Sequence, residues 1–120
     1  MTWHLELTPK AEKILAKAMK KDRQLAADIA GVFQSMAQDP FEGPGIKTQR
    51  YPQLDKATGG KTYETYLSRR GAAWRCWWVE GDQQELKVLV ASGEADEGDE
   101  HLILILTADS HPPASGKTSL

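Results

Sequence analysis

Apolar positions recur along this chain with two different periods, and the change falls near Gly60. Trp3 to Leu7 alternates as a short strand does, and Thr8-Pro9 supplies an N-cap followed by a proline suited to the first helical position. Ala11, Ile14, Leu15, Ala18 and Met19 then form one stripe at helical spacing, opposite Lys10, Lys13, Lys17, Lys20 and Lys21. That lysine face reads as a solvated helix surface. Asp22 is placed to cap a second helix, whose stripe of Leu25, Ile29, Val32, Phe33 and Met36 runs until Asp39-Pro40 stops it. The short connection predicts an antiparallel helix hairpin. Residues 41–60 carry prolines and glycines with little periodicity, and predict a loop with one extended piece around Ile46 to Tyr51.

Beyond Gly60 the pattern reads as strands over 61–69, 73–80, 85–92 and 101–108, with Gly81 to Gln84 as a turn. Leu102 to Leu106 is apolar on both faces and predicts an interior strand. Together these elements predict an α+β fold of two layers, with an N-terminal strand and an antiparallel helix hairpin packed on a mainly antiparallel sheet. One domain over residues 1–112 accounts for them, and the Pro-, Ser- and Gly-containing stretch 113–120 reads as a flexible tail.

Composition narrows the setting. At 120 residues the chain can bury a core without covalent staples, and its one cysteine, Cys76, rules out an intrachain disulfide or a cysteine-based zinc cluster. The first ten residues lack the basic start and apolar core of a signal peptide, and the longest apolar run is far short of a bilayer span. A cytoplasmic protein with no membrane partner is expected. Fifteen basic against seventeen acidic residues give a net charge of -2, which does not announce a nucleic-acid binder. The charges are unevenly distributed, however. Lys47, Arg50, Lys56, Lys61, Arg69, Arg70, Arg75 and Lys87 lie in one half, whereas Glu94, Asp96, Glu97, Asp99 and Glu100 crowd a single loop. A basic groove survives if that loop points away.

The segment GKTYETYLSRRGAAWRCWWVE, from Gly60 to Glu80, carries the candidate chemistry. It reads as a hairpin setting Arg69, Arg70 and Arg75 among aromatics. Guanidinium forks a phosphate, and a flat ring stacks an unpaired base, so RNA is the first candidate partner. A tight turn at Gly71-Ala72 would pair Ser68 with Arg75, Tyr66 with Trp77 and Glu64 with Val79. One face then holds Glu64, Tyr66, Ser68, Arg75 and Trp77 towards a groove, and Thr65, Leu67, Trp74, Cys76 and Trp78 form the core face. Cleavage by the ribose 2′-hydroxyl needs a base, an acid and positive charge on the phosphorane, and it calls for no metal or other cofactor.

The order of these pieces, Pro40-Phe41-Glu42-Gly43-Pro44-Gly45, then Ser68-Arg69-Arg70, then Trp74-Arg75, then His111, resembles the RelE/ParE toxin superfamily, especially its YoeB-like branch. The likeness runs over residues 2–112. It implies a RelE-like fold and a type II toxin that cuts messenger RNA on the ribosome, held inactive by a cognate antitoxin. Carried over by position, Arg75 would bind the scissile phosphate and His111 would be the general acid. Arg69, Arg70 and Lys47 would contact phosphates. Where the YoeB-like pattern has its glutamate base this chain has Lys47-Thr48-Gln49, and Glu64 is the candidate replacement, or else an ion-pair partner of Arg75 or Lys61. Tyr66 and Trp77 would stack RNA bases. The alternative within the superfamily is a ParE-like protein that poisons DNA gyrase by binding, or an inactive diverged member. The missing glutamate, and Pro112 where a tyrosine is common, favour that alternative.

Overall fold

The computed structural model describes residues 2–70 and 73–110. The chain runs β1 (Thr2–Leu7), α1 (Pro9–Lys21), α2 (Arg23–Gln38), β2 (Thr48–Arg50), a 3-10 turn (Pro52–Leu54), α3 (Asp55–Thr58), β3 (Tyr63–Ser68), β4 (Trp74–Glu80), α4 (Gln83–Ala91) and β5 (Asp99–Asp109). The strands form one five-stranded sheet in the order β1-β5-β4-β3-β2. β1 runs parallel to β5, and the other neighbours are antiparallel. This is the two-layer α+β architecture that the hydrophobic periodicities predict. Among the described residues no helix is long and apolar enough to cross a membrane. The expected flexible tail lies outside the described residues.

The helix hairpin forms where the caps foretell it. Thr8 accepts a hydrogen bond from the Ala11 amide and donates one to the Leu106 carbonyl, so it starts α1 and ties that start to β5. Asp22 closes α1 with its own amide and opens α2 by accepting from the Gln24 and Leu25 amides. Asp22→Ala should therefore lower stability by about 1 kcal/mol, the usual worth of an N-cap, in chemical denaturation followed by circular dichroism. Ala11 and Leu15 of α1, with Leu25, Ile29 and Met36 of α2, bury against Leu67, Cys76, Trp78, Ile103 and Ile105 of the sheet. Trp78 is fully buried and donates its indole N–H to Thr65, which gives the large polar ring a partner in the core.

The motif after α2 has a structural account. Asp39 accepts from the amides of Phe41 and Glu42, and the Gly43 amide donates to the Asp39 carbonyl. A Cβ on Gly43 would lie 2.6 Å from the Asp39 carbonyl oxygen and 2.8 Å from that of Ser35, so only glycine lets the chain turn this close to the end of the helix.

Three expectations are corrected. Residues 85–92 are helical: Asp82 caps α4 by accepting from the Glu85 amide, and Leu86, Leu89 and Val90 pack with Leu102 and Ala95. The apolar positions there fit a helix as well as a strand, and the cap decides between them. The hairpin register also differs. Tyr66 pairs with Arg75, Glu64 with Trp77 and Ser68 with Trp74, with a bulge between Tyr66 and Ser68. The shift for Glu64 and Tyr66 is by two residues, so they keep their face, as the two-residue period of a strand requires. Ser68 does not keep it, and its hydroxyl donates to Asp28 on α2. Finally, the face expected to line an open groove is half covered. The 3-10 turn lays Tyr51 and Leu54 over Trp77, pinned by Asp55, which accepts from the Thr62 amide and pairs with Arg50.

Candidate phosphate-binding site

On the sheet face opposite the hairpin, Tyr66 of β3 sits beside Arg75 of β4, with Lys47 entering from the start of β2. The register places all of them at one corner. The Arg75 guanidinium carbon lies 4.7 Å from the Tyr66 ring centroid, the Lys47 ammonium 5.3 Å and the Arg69 guanidinium carbon 5.5 Å. Cations within this range are attracted by the ring's negative face, so Tyr66 gathers like charges that would otherwise repel one another. The gathered charge is a ready counterpart for an anion.

Glu64 lies in the same face and is 1% exposed. Its Oε1 accepts from the Gln49 side-chain Nε2 at 2.7 Å, while Oε2 stands 3.7 Å from Arg75 Nη1. Among the described residues Glu64 Oε2, Arg75 Nε and Trp77 Nε1 have no hydrogen-bond partner. The ion pair is thus loosely made, and the Arg75 side chain, 19% exposed, keeps an edge towards solvent. Burial, and next to it the Glu64 charge, push the Tyr51 phenol above its usual value, so this neighbour of the pair stays protonated at neutral pH.

The sequence-predicted residues divide into those brought together and those set apart. Lys47, Glu64, Tyr66, Arg69 and Arg75 share the corner. Arg70 leaves it: its guanidinium pairs with Asp28 on α2, on the helix side of the sheet. Trp77 is fully buried beneath Tyr51 and Leu54, so its ring is closed to a stacking base. His111 lies outside the described residues. Gln49 and Tyr51 are additions that sequence reasoning missed. Their signal is the alternation Lys47, Gln49, Tyr51, which puts all of them on the Glu64 side of β2.

The acidic loop is remote from this corner. Asp99 opens β5, whereas Arg75 pairs with Asp109 at its other end. An eleven-residue strand spans about 36 Å, further than the ~8–10 Å screening length of physiological salt. The acidic loop therefore does not screen the corner, where Lys47, Arg69 and Arg75 stand against Glu64 and Asp109.

Arg69 also lines a cleft of about 400 Å³ between α2 and the end of β3, with Asp28, Gly31, Pro44, Gly45 and Ser68. Asp28 fixes one wall of it. The Arg70 hydrogen bond, and then that of Ser68, hold its carboxyl below the usual aspartate value of 3.8. A depressed folded-state pKa stabilises the fold above the unfolded value and is lost as pH falls through the folded one. Wild type should accordingly lose this increment as pH drops below about 4. Asp28→Asn should show a shallower fall in urea midpoint between pH 5 and pH 3.

Among the described residues no three or more His, Cys, Asp or Glu side chains are grouped so as to hold a metal ion. Comparison with protein-family models, with curated proteins and with solved structures yields no match for this chain.

Proposed function

We propose that this chain binds RNA through the Tyr66 corner and cleaves it by 2′-hydroxyl attack, as a toxin of the RelE/YoeB type acting on messenger RNA at the ribosome. The observation that carries the reading is the gathering of Lys47, Arg69 and Arg75 on one tyrosine ring beside the buried Glu64. Cations that can fork a phosphate, beside a ring that can stack a base, are the combination that suits a single-stranded phosphodiester.

In this reading a phosphate oxygen competes with Glu64 for Arg75. Glu64 Oε2 is buried and without a donor, so it becomes the acceptor for the 2′-hydroxyl proton only when the guanidinium swings outward and uncovers it. The 2′-oxygen attacks phosphorus, the bond to the 5′-oxygen breaks, and Arg75 with Lys47 stabilises the crowded dianionic phosphorane. The departing 5′-oxygen requires a proton, for which the family resemblance nominates His111. Tyr66 stacks a neighbouring base. A cognate antitoxin would cover this corner.

The test adds purified chain to translating ribosomes and maps the message ends. The reading expects cuts that leave 2′,3′-cyclic phosphates, weakened when Lys47 and Arg69 are replaced by alanine. Intact messages together with trapped gyrase–DNA complexes would support the gyrase-binding alternative and remove the nuclease.

A further inference from the structure

The two edges of the sheet are treated very differently. β2 is three residues long, carries Arg50 and is followed by Pro52, devices that discourage pairing with another chain. β1 is six residues long, and no lysine, arginine or proline interrupts Thr2–Leu7. Its sequence, TWHLEL, is nearly self-complementary when read against itself about Leu5. The outer side of β1 opens onto a groove of about 690 Å³ whose walls include Trp3, Leu5, Phe33 and Ala37.

Hydrogen-bond phase decides whether a second β1 can be added. The Thr8 amide donates to the Ile105 carbonyl, and β1 pairs in parallel with β5, Glu6 opposite Leu104 and His4 opposite Leu102. In a parallel ladder alternate residues turn their amide and carbonyl to the same neighbour. Thr8, Glu6 and His4 thus face β5, and Leu7, Leu5 and Trp3 turn theirs outward. An antiparallel copy with its two-fold axis at Leu5 brings Leu5 opposite Leu5 and Trp3 opposite Leu7, so every outward group meets an outward group. The same register sets His4 opposite the partner's Glu6 and Glu6 opposite the partner's His4, in the closely spaced, non-hydrogen-bonded positions. Apolar side chains then meet on the helix side, and on the other an imidazole that can donate meets a carboxylate that accepts.

We propose that the chain forms a homodimer by antiparallel pairing of β1 with β1 of a second copy, about a two-fold axis at Leu5, making one continuous sheet across both copies. The occupant is a second copy because the hydrogen-bond phase, the apolar positions and the pairing of His4 with Glu6 all match at a single register. Any strand could meet the outward backbone groups, but an unrelated one would match the side-chain pattern only by coincidence. β1 lies at the opposite edge of the sheet from β2 and β3, so this pairing leaves the Tyr66 corner open in both subunits. The inference does not depend on the proposed function.

Sedimentation of the full chain over a concentration series should show a monomer–dimer equilibrium. His4→Glu sets like charges opposite each other twice and should weaken the dimer about tenfold or more, and the charge swap H4E/E6H should restore it. Those variants also alter the His4 contacts with Glu6 and Asp99 within the chain, so amide exchange of the unmodified protein gives an independent reading. Protection of the Trp3, Leu5 and Leu7 amides should rise with protein concentration. A chain that stays monomeric up to hundreds of micromolar overturns the proposal. So does a dimer whose β1 amides exchange freely.

Discussion

Arg75→Lys will slow RNA cleavage on translating ribosomes by about 10²–10³-fold while leaving the fold intact, the loss typical of removing one transition-state donor. Lysine keeps the positive charge that faces Glu64, so the carboxylate at 1% exposure retains a counter-ion. What lysine lacks is the planar fork that can hold two phosphoryl oxygens at once, and that geometry is what the phosphorane demands. Arg75→Ala is the less clean variant. It strands Glu64 without its cation in a buried site, and such losses destabilise a fold in their own right. Message cleavage read by primer extension, with thermal unfolding measured on the same samples, separates the two effects. Equal cleavage by wild type and Arg75→Lys would remove Arg75 from the chemistry.

Trp77→Ala will destabilise the protein by about 3–5 kcal/mol, as expected for truncating a fully buried aromatic. Trp77 is wholly inaccessible and is what Tyr51 and Leu54 rest on, so the loss should be largest in the 3-10 turn and α3. Amide exchange should show residues 51–58 opening first. Trp77→Phe should cost much less, because the indole N–H has no hydrogen-bond partner to forfeit among the described residues. The same pair of variants separates a core role from a stacking role. Trp77→Phe should leave RNA affinity unchanged, whereas Tyr66→Ala should weaken it by about 1–3 kcal/mol per stacked base. Urea denaturation and fluorescence anisotropy measure the two quantities. A stable Trp77→Ala protein with weakened RNA binding would reverse the assignment.

The helix hairpin was legible in the sequence because caps and apolar stripes agreed: Thr8 and Asp22 accept the amides their positions foretell. Leu67, Cys76 and Trp78 were legible as core because a two-residue period survives any even shift of register. The bulge after Tyr66 was not legible. It accompanies the turning of Ser68 to Asp28, which accepts from both Ser68 and Arg70, forty and forty-two residues away in the chain. The same distant carboxylate explains why the Arg70 guanidinium turns to α2 while that of Arg69, its neighbour in sequence, stands over Tyr66. α4 is not legible from periodicity alone because Val88 and Val90 favour a strand locally, and the Asp82 cap outweighs them. The cover over Trp77 leaves no sequence signal because Tyr51 and Leu54 sit in a segment without periodicity, where only tertiary contact gives them a role.

The central claim is that RNA phosphate docks where Lys47, Arg69 and Arg75 surround Tyr66. Its most direct test is NMR titration of the labelled full chain with a short oligonucleotide made uncleavable by a 2′-deoxy substitution at the scissile position. The account predicts that the largest shift changes fall on Lys47, Glu64, Tyr66, Arg69 and Arg75 and diminish with added salt. Changes confined to the lysine face of α1, at Lys10, Lys13, Lys17, Lys20 and Lys21, or no changes at all, would contradict it.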